Sequence, residues 1–261
     1  MYIGIKSSVN ALLSFLPVVV ILFVLNGCMQ NGSIIRQVLS ADDDTVKIKE
    51  LLSGKPKSML NYRDEESGET LLASVVEARH YHAAQVLAEL GADPNIQSKN
   101  GQSAFIIAAQ NTDSSAYLKL LLKYGGDVNA VAKSDEYDTY WDKTPLIAAI
   151  AAGSLENVKL LVEAGANVNY ACVSEDGLNV TAVNVSAMKA AAGVGEELWV
   201  RILRYLIVDK KANYRKGYTT VHGSKDDTIY VADLLHKLRC DSGSDEYKMK
   251  MDIVKYMKDR D

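Results

Sequence analysis

The chain has little of what most enzymes and nucleic-acid binders require. Its 261 residues include only four histidines and three cysteines, and none stands at metal-ligand spacing. His80 and His82 are two apart, so on a helix they face different ways; His222 and His236 have no Cys or carboxylate partner at ligand spacing. No Gly and closing Glu follow Asp42-Asp43-Asp44 at loop spacing, so the triplet resembles a calcium run only superficially. An acid triplet directly before VKIKELL reads instead as a helix cap favoured by the macrodipole. There is no glycine-rich phosphate cradle, and no strand precedes the serine of CDSGSDE, so a hydrolase elbow lacks its context. Positive charge is short too: 29 basic against 33 acidic residues give a net charge of −4, which argues against nucleic acid as a partner. No metal, no cofactor and no catalysis are expected.

A long apolar run is also missing. Ala11 to Leu25, apolar apart from Ser14, is 15 positions, short of the roughly 20 that span a bilayer as a helix. Lys6 is the only charged side chain before Cys28. A cationic start, a short apolar core and small residues at its end describe an export signal. The ending Leu25-Asn26-Gly27-Cys28 resembles the lipobox of bacterial lipoproteins, although Asn26 is less usual there than Ala or Ser. The resemblance implies that residues 1–27 are removed, that Cys28 is acylated, and that residues 28–33 tether the folded part to lipid. Met29, where Asp would hold a lipoprotein at the inner membrane, implies the outer membrane facing the periplasm; the inner membrane is the alternative. An uncleaved anchor helix and an ordinary secretory peptide are the other readings. The linker after Cys28, residues 29–33, reaches at most about 17 Å.

What the chain does have is a period. TLLASVVEARHYHAAQVLAELGADPN (70–95) aligns without a gap with TPLIAAIAAGSLENVKLLVEAGANVN (144–169), and SAFIIAAQNTDSSAYLKLLLKYGGDVN (103–129) fits with one extra residue in its middle turn. Thr70 to Ser103 is 33 positions. Thr144 can cap a helix and Pro145 fits its first position. Ala148, Ala149 and Ala152 keep one face small enough for close approach by a second helix. Leu155, Val158, Leu161 and Val162 mark that helix at helical spacing, and Gly165 supplies the positive φ that ends it. Each pair leaves apolar surface uncovered, so neighbouring pairs must stack.

These stretches resemble the ankyrin repeat, with its T-P-L-H-x-A opening and period of 33. The implied fold is an all-α ankyrin-repeat solenoid, residues 34–261, of about six helix–turn–helix repeats with extended hairpin loops. Residues 33–66 (IIRQVL, TVKIKELL) read as the N-terminal cap. SAMKAAAG (186–193) with LRYLIVDKKANY (203–214) reads as a fifth unit, and TIYVADLLHKL with EYKMKMDIVKYMKD as a charged C-terminal cap. Cys172 then lies just past the fourth repeat and Cys240 between the helices of the sixth, at opposite ends of the helical layer. A disulfide needs Cα atoms within about 7 Å, so two unpaired thiols are expected.

Ankyrin proteins bind other proteins through the concave face beside their hairpin loops, and insertions mark that face. Asn95 to Ser103 is 8 positions, whereas Asn129 to Thr144 is 15 and Asn169 to Ser186 is 17. The first long loop carries Tyr137, Asp138, Tyr140 and Trp141; Tyr and Trp are enriched at interface hot spots, and acids beside them favour a basic partner. The second long loop has an apolar latter half that suits a longer hairpin. The family's variable contact positions fall on Glu66, Glu69 and Glu77, then on Lys99, Asn100, Gln102, Gln110 and Asn111, then on Tyr140, Trp141 and Lys143. The sequence therefore points to a membrane-anchored periplasmic protein, monomeric when free, that binds another protein. A secreted effector or toxin is the expected partner, phospholipase-like and of type VI secretion, with this chain as its immunity protein. A scaffold or accessory role for an endogenous periplasmic enzyme such as a catalase is the alternative.

Overall fold

The computed structural model describes residues 34–41, 43–133, 143–173, 179–192, 196–219 and 228–260. Its helices come in consecutive pairs. The first pair is α1 (34–39) and α2 (Thr45–Leu52). Next come α3 (Leu71–Glu77) with α4 (Tyr81–Glu89), α5 (Ala104–Gln110) with α6 (Ala116–Lys123), and α7 (Pro145–Ala152) with α8 (Leu155–Glu163). The fifth pair is α9 (Ala182–Ala191) with α10 (Glu196–Arg204), which runs on into a π-helical turn, Tyr205–Asp209. The last is α11 (Val231–Lys237) with α12 (Asp245–Lys258). Two small antiparallel hairpins complete the described elements: β1 (Ala171–Val173) with β2 (Asn179–Thr181), and β3 (Tyr218–Thr219) with β4 (Thr228–Ile229).

The first helices stack in one row, α3 on α5, α5 on α7, α7 on α9 and α9 on α11. The second helices form the other row, with α2 on α4, α4 on α6, α8 on α10 and α10 on α12. One apolar core runs the length of the stack from Ile34 to Ile253. Leu72, Leu87, Leu118, Leu121, Leu146 and Leu161 are all essentially inaccessible, and burying each contributes about 1.5–3 kcal/mol. Small residues let the rows close up. Ala83, Ala84, Ala108, Ala109 and Ala149 are fully buried, and a Cβ added at Gly126 would overlap the Phe105 ring.

Each first helix from α3 to α9 starts on a hydroxyl. The amides of Ala73, Ile106, Ile147 and Asn184 donate to the side-chain oxygens of Thr70, Ser103, Thr144 and Thr181 at 3.2–3.3 Å. Pro145 occupies the first turn of α7, where its missing N–H costs nothing. The extra residue between α5 and α6 is absorbed by Asn111, whose Oδ1 accepts from the amides of Asp113 and Ser114. Asp44 caps α2 by accepting from Val46 and Lys47.

Asparagines stitch one unit to the next. Asp93 N donates to Asn61 Oδ1 at 2.8 Å, Asp127 N to Asn95 Oδ1 at 2.8 Å, Asn167 N to Asn129 Oδ1 at 2.8 Å and Asn213 N to Asn169 Oδ1 at 2.7 Å. Asn95 Nδ2 and Asn129 Nδ2 return the bond to the carbonyls of Gly125 and Gly165. This ladder gives the Gly-Ala-Asp/Asn-x-Asn motif its physical reason: one polar residue per period satisfies backbone groups of the next loop.

The fifth unit begins earlier than the apolar stretch SAMKAAAG suggests. Thr181, not Ser186, is its cap, with Asn184 completing a capping box by accepting from the Thr181 amide at 3.0 Å. Asn169 to Thr181 is thus twelve positions, and NVTAVNVS contributes its latter half to α9 instead of to the loop. The signal for this start is Thr181-x-x-Asn184, which is easily passed over because Ala and Val fill the places that a Thr-Pro-Leu opening would mark. The second helix likewise starts at Glu196, well before Leu203. Cys172 is buried in β1, Cys240 is half-buried between α11 and α12, and no disulfide joins them. No helix among the described residues is long and apolar enough to cross a membrane.

Candidate partner-binding face

The sequence-derived positions fall into three groups. Cys28, Tyr137, Asp138, Tyr140 and Trp141 lie outside the described residues. A second group builds the loops. Lys99 Nζ donates to the carbonyls of Glu65 at 2.7 Å and Glu66 at 2.6 Å, clamping one hairpin to the previous one. Asn100 Oδ1 accepts from Ser98 Oγ at 2.5 Å and Gln102 N at 3.2 Å. Asn111 is held by its own turn, and its carbonyl accepts from Asn157 Nδ2 at 2.7 Å. Glu66 is exposed at a turn in which Asp64 Oδ1 accepts from its amide.

The third group is brought together on the first-helix row. Glu69, Gln102 and Lys143 each immediately precede a capping residue, Thr70, Ser103 and Thr144, and so repeat one position in three stacked units. All three are half-buried. Glu77 and Gln110 repeat a second position as the last residues of α3 and α5. Burial pushes the Glu69 carboxyl above its ordinary value, and the neighbouring Glu77 charge pushes it further. Burial pushes the Lys143 amine down; Cys172 opposes that and nearby Lys189, on α9, adds to it. Glu69 Oε1 and Gln102 Oε1 are buried side-chain oxygens with no hydrogen-bond partner among the described residues. Buried acceptors left unmade cost free energy, so both hold unused bonding capacity at the lip of the same row.

Lys189 is absent from the sequence-derived positions, because a fifth unit started at Ser186 hides its place on the row. It lies over the Trp199 ring, 5.8 Å from the centroid. Two other residues organise the stack without a local sequence signature. Asp43 Oδ1 accepts from Ala83 N at 2.6 Å and its Oδ2 from His82 N at 3.0 Å, capping α4 from the preceding pair. His82 Nδ1 lies 2.8 Å from the same Oδ2. Asn157, fully buried on α8, donates through Nδ2 to the carbonyls of Ala109 and Asn111 and so closes the end of α5.

Among the described residues no three His, Cys, Asp or Glu side chains group to hold a metal. A cleft of about 690 Å³ beside α10 is lined by Glu197, Arg201, Arg239, Cys240 and Asp241, a mixed-charge surface with Arg201 already paired to Glu197.

Known proteins share this architecture. A family model for ankyrin repeats matches residues 75–172 as three copies. The chain is 35% identical over 118 residues to Protein PhlB of Serratia liquefaciens, a match covering 45% of this chain and 47% of that one. It is 33% identical over 104 residues to the ankyrin repeat protein FPV014 of fowlpox virus (strain NVSL), covering 40% of this chain and 22% of that one. These matches therefore span less than half the length of either relative. Among solved structures, an ankyrin repeat domain from Acinetobacter baumannii AYE superposes with a TM-score of 0.62 at 23% identity, covering 86% of this chain and 97% of that one. The matched family is in general a non-catalytic scaffold for protein–protein interaction. Residues 75–172 are ankyrin repeats, and the mostly helical stack has the ankyrin fold.

Proposed function

We propose that the chain is an immunity protein: a lipid-anchored binder in the bacterial envelope that neutralises an antibacterial effector, of the type VI phospholipase kind, by covering its active or membrane-docking surface. The observation that carries the binding part is the row of half-buried polar side chains at one repeated position, two of them with buried oxygens left unpartnered. A face with unmade hydrogen bonds suits occlusion of a macromolecule. The lipobox-like ending at Cys28 supports the envelope part. Stable anchoring takes two or more acyl chains, and the short tether would hold the binder beside the bilayer that such an effector attacks.

A deletion strain tests this. Mutant cells mixed with their siblings on a surface should lose viability on contact, and survive when the siblings' secretion apparatus is removed. Mutant cells that withstand contact but grow poorly alone would contradict the immunity reading and favour an accessory role for an endogenous enzyme.

A further inference from the structure

The first-helix row changes sign along its length. Its N-terminal end carries Glu69 and Glu77, close enough that the Glu77 charge acts on the Glu69 carboxyl. The next unit carries Gln102 and Gln110 at the same two positions. Lys143 comes at the first position one unit on, with Lys189 near enough to act on it electrostatically. Two acids, two amides and two lysines thus succeed one another across α3, α5, α7 and α9, which stack in that order. We infer that this face reads the direction of its partner: it takes a protein strip that runs from a Lys or Arg over Glu69 and Glu77 to an Asp or Glu over Lys143 and Lys189, with a neutral polar stretch between.

Such direction reading rests on the protein-binding role proposed for this face and is carried by charge complementarity. Adjacent packed helices lie about 8–10 Å apart, so the two charged ends are separated by about 16–20 Å, two such steps. An extended segment rises about 3.3 Å per residue, which places its basic and acidic residues roughly six positions apart. Gln102, half-buried midway along the row, sets a neutral polar group opposite the middle of the strip. A strip laid in the opposite sense would set like charges together at both ends, so the face discriminates by repulsion as well as by attraction.

The test uses the intact chain, purified in detergent, against a display library of random twelve-residue peptides. Enriched peptides should carry Lys or Arg and Asp or Glu about six positions apart, in one N-to-C order. Glu69→Gln with Glu77→Gln should remove the basic preference and Lys143→Gln with Lys189→Gln the acidic one, each weakening the wild-type peptides about tenfold. Thermal melts of both variants confirm that the fold is kept. Enrichment without ordered charges, binding that the four substitutions leave unchanged, or no enrichment at all would overturn the inference. Peptides that bind the fourfold variant undiminished would still leave the protein-binding reading standing. A chain that enriches no peptide, and whose deletion leaves sibling contact harmless, would lose both.

Discussion

The three matched repeats and the fifth unit solve the same geometric problem with different residues. After each second helix the regular repeats turn on a glycine in the left-handed region, Gly91 (φ 94), Gly125 (φ 88) and Gly165 (φ 99). The fifth unit puts Lys211 there, at φ 56, behind the π-helical turn. Its opening replaces Thr-Pro-Leu by the Thr181–Asn184 capping box, and Asn184 Nδ2 reaches forward to the Lys216 carbonyl at 3.0 Å. Yet Asn213 N still finds Asn169 Oδ1. The hydroxyl cap and the asparagine rung are therefore what the stack needs; the glycine is the least strained way round the corner, and a non-glycine can be forced into it.

The sharpest test of that contrast lies in the regular part. Gly126→Ala would drive a methyl group into Phe105 and should destabilise the chain by about 1–3 kcal/mol, measured by chemical denaturation. Removing a rung comes next. Asn95→Ala deletes bonds to Asp127 N and the Gly125 carbonyl and should cost about 1–2 kcal/mol; a change near zero would make the ladder ornamental. Smaller still is the swap at the corner. Lys211→Gly should stabilise by about 1 kcal/mol and Gly165→Lys destabilise by a similar amount, because a side chain in the left-handed region strains the backbone. Equal and negligible effects at the two sites would erase the distinction.

The smallest effect is a pH dependence with opposite signs at two carboxyls. Glu69 is raised by burial and by Glu77, so its contribution favours folding at low pH and is lost as pH rises through its folded value. Glu69→Gln should accordingly raise Tm at neutral pH, with the gap closing in acid. Asp43 is lowered from 3.8: burial opposes its charge, and the amides of His82 and Ala83 together with the His82 ring outweigh burial. Its contribution is present above that ordinary value and is lost as pH falls through the lowered one. Asp43→Asn should therefore lower Tm at neutral pH and cease to matter in strong acid.

The regular repeats are legible in the sequence because their signals are local and periodic: a hydroxyl, a Pro or small residue, then Leu or Ile at helical spacing. Thr70, Ser103 and Thr144 are readable as caps on that ground, as are the paired helices at both ends. The fifth unit starts five residues before the position its apolar pattern suggests, because the strongest apolar stretch lies inside α9 and not at its start. That displacement conceals Lys189, the partner of Lys143 at the basic end of the row. Asp43 and Asn157 act on units far along the chain, through bonds across about 40 and 48 positions, and nothing within one period announces them. Analogy of position points equally to Glu69, Gln102 and Lys143 and to Lys99, Asn100 and Asn111. The structure sets the first three on one row, whereas the side chains of the other three hold loops.

We propose that the first-helix row is the surface through which the chain neutralises its partner. The deletion strain complemented with Glu69→Lys, Glu77→Lys and Lys143→Glu combined is the decisive strain. The variant protein should be folded and made at the wild-type level, yet leave cells unprotected against their siblings. Full protection by that folded variant would contradict it.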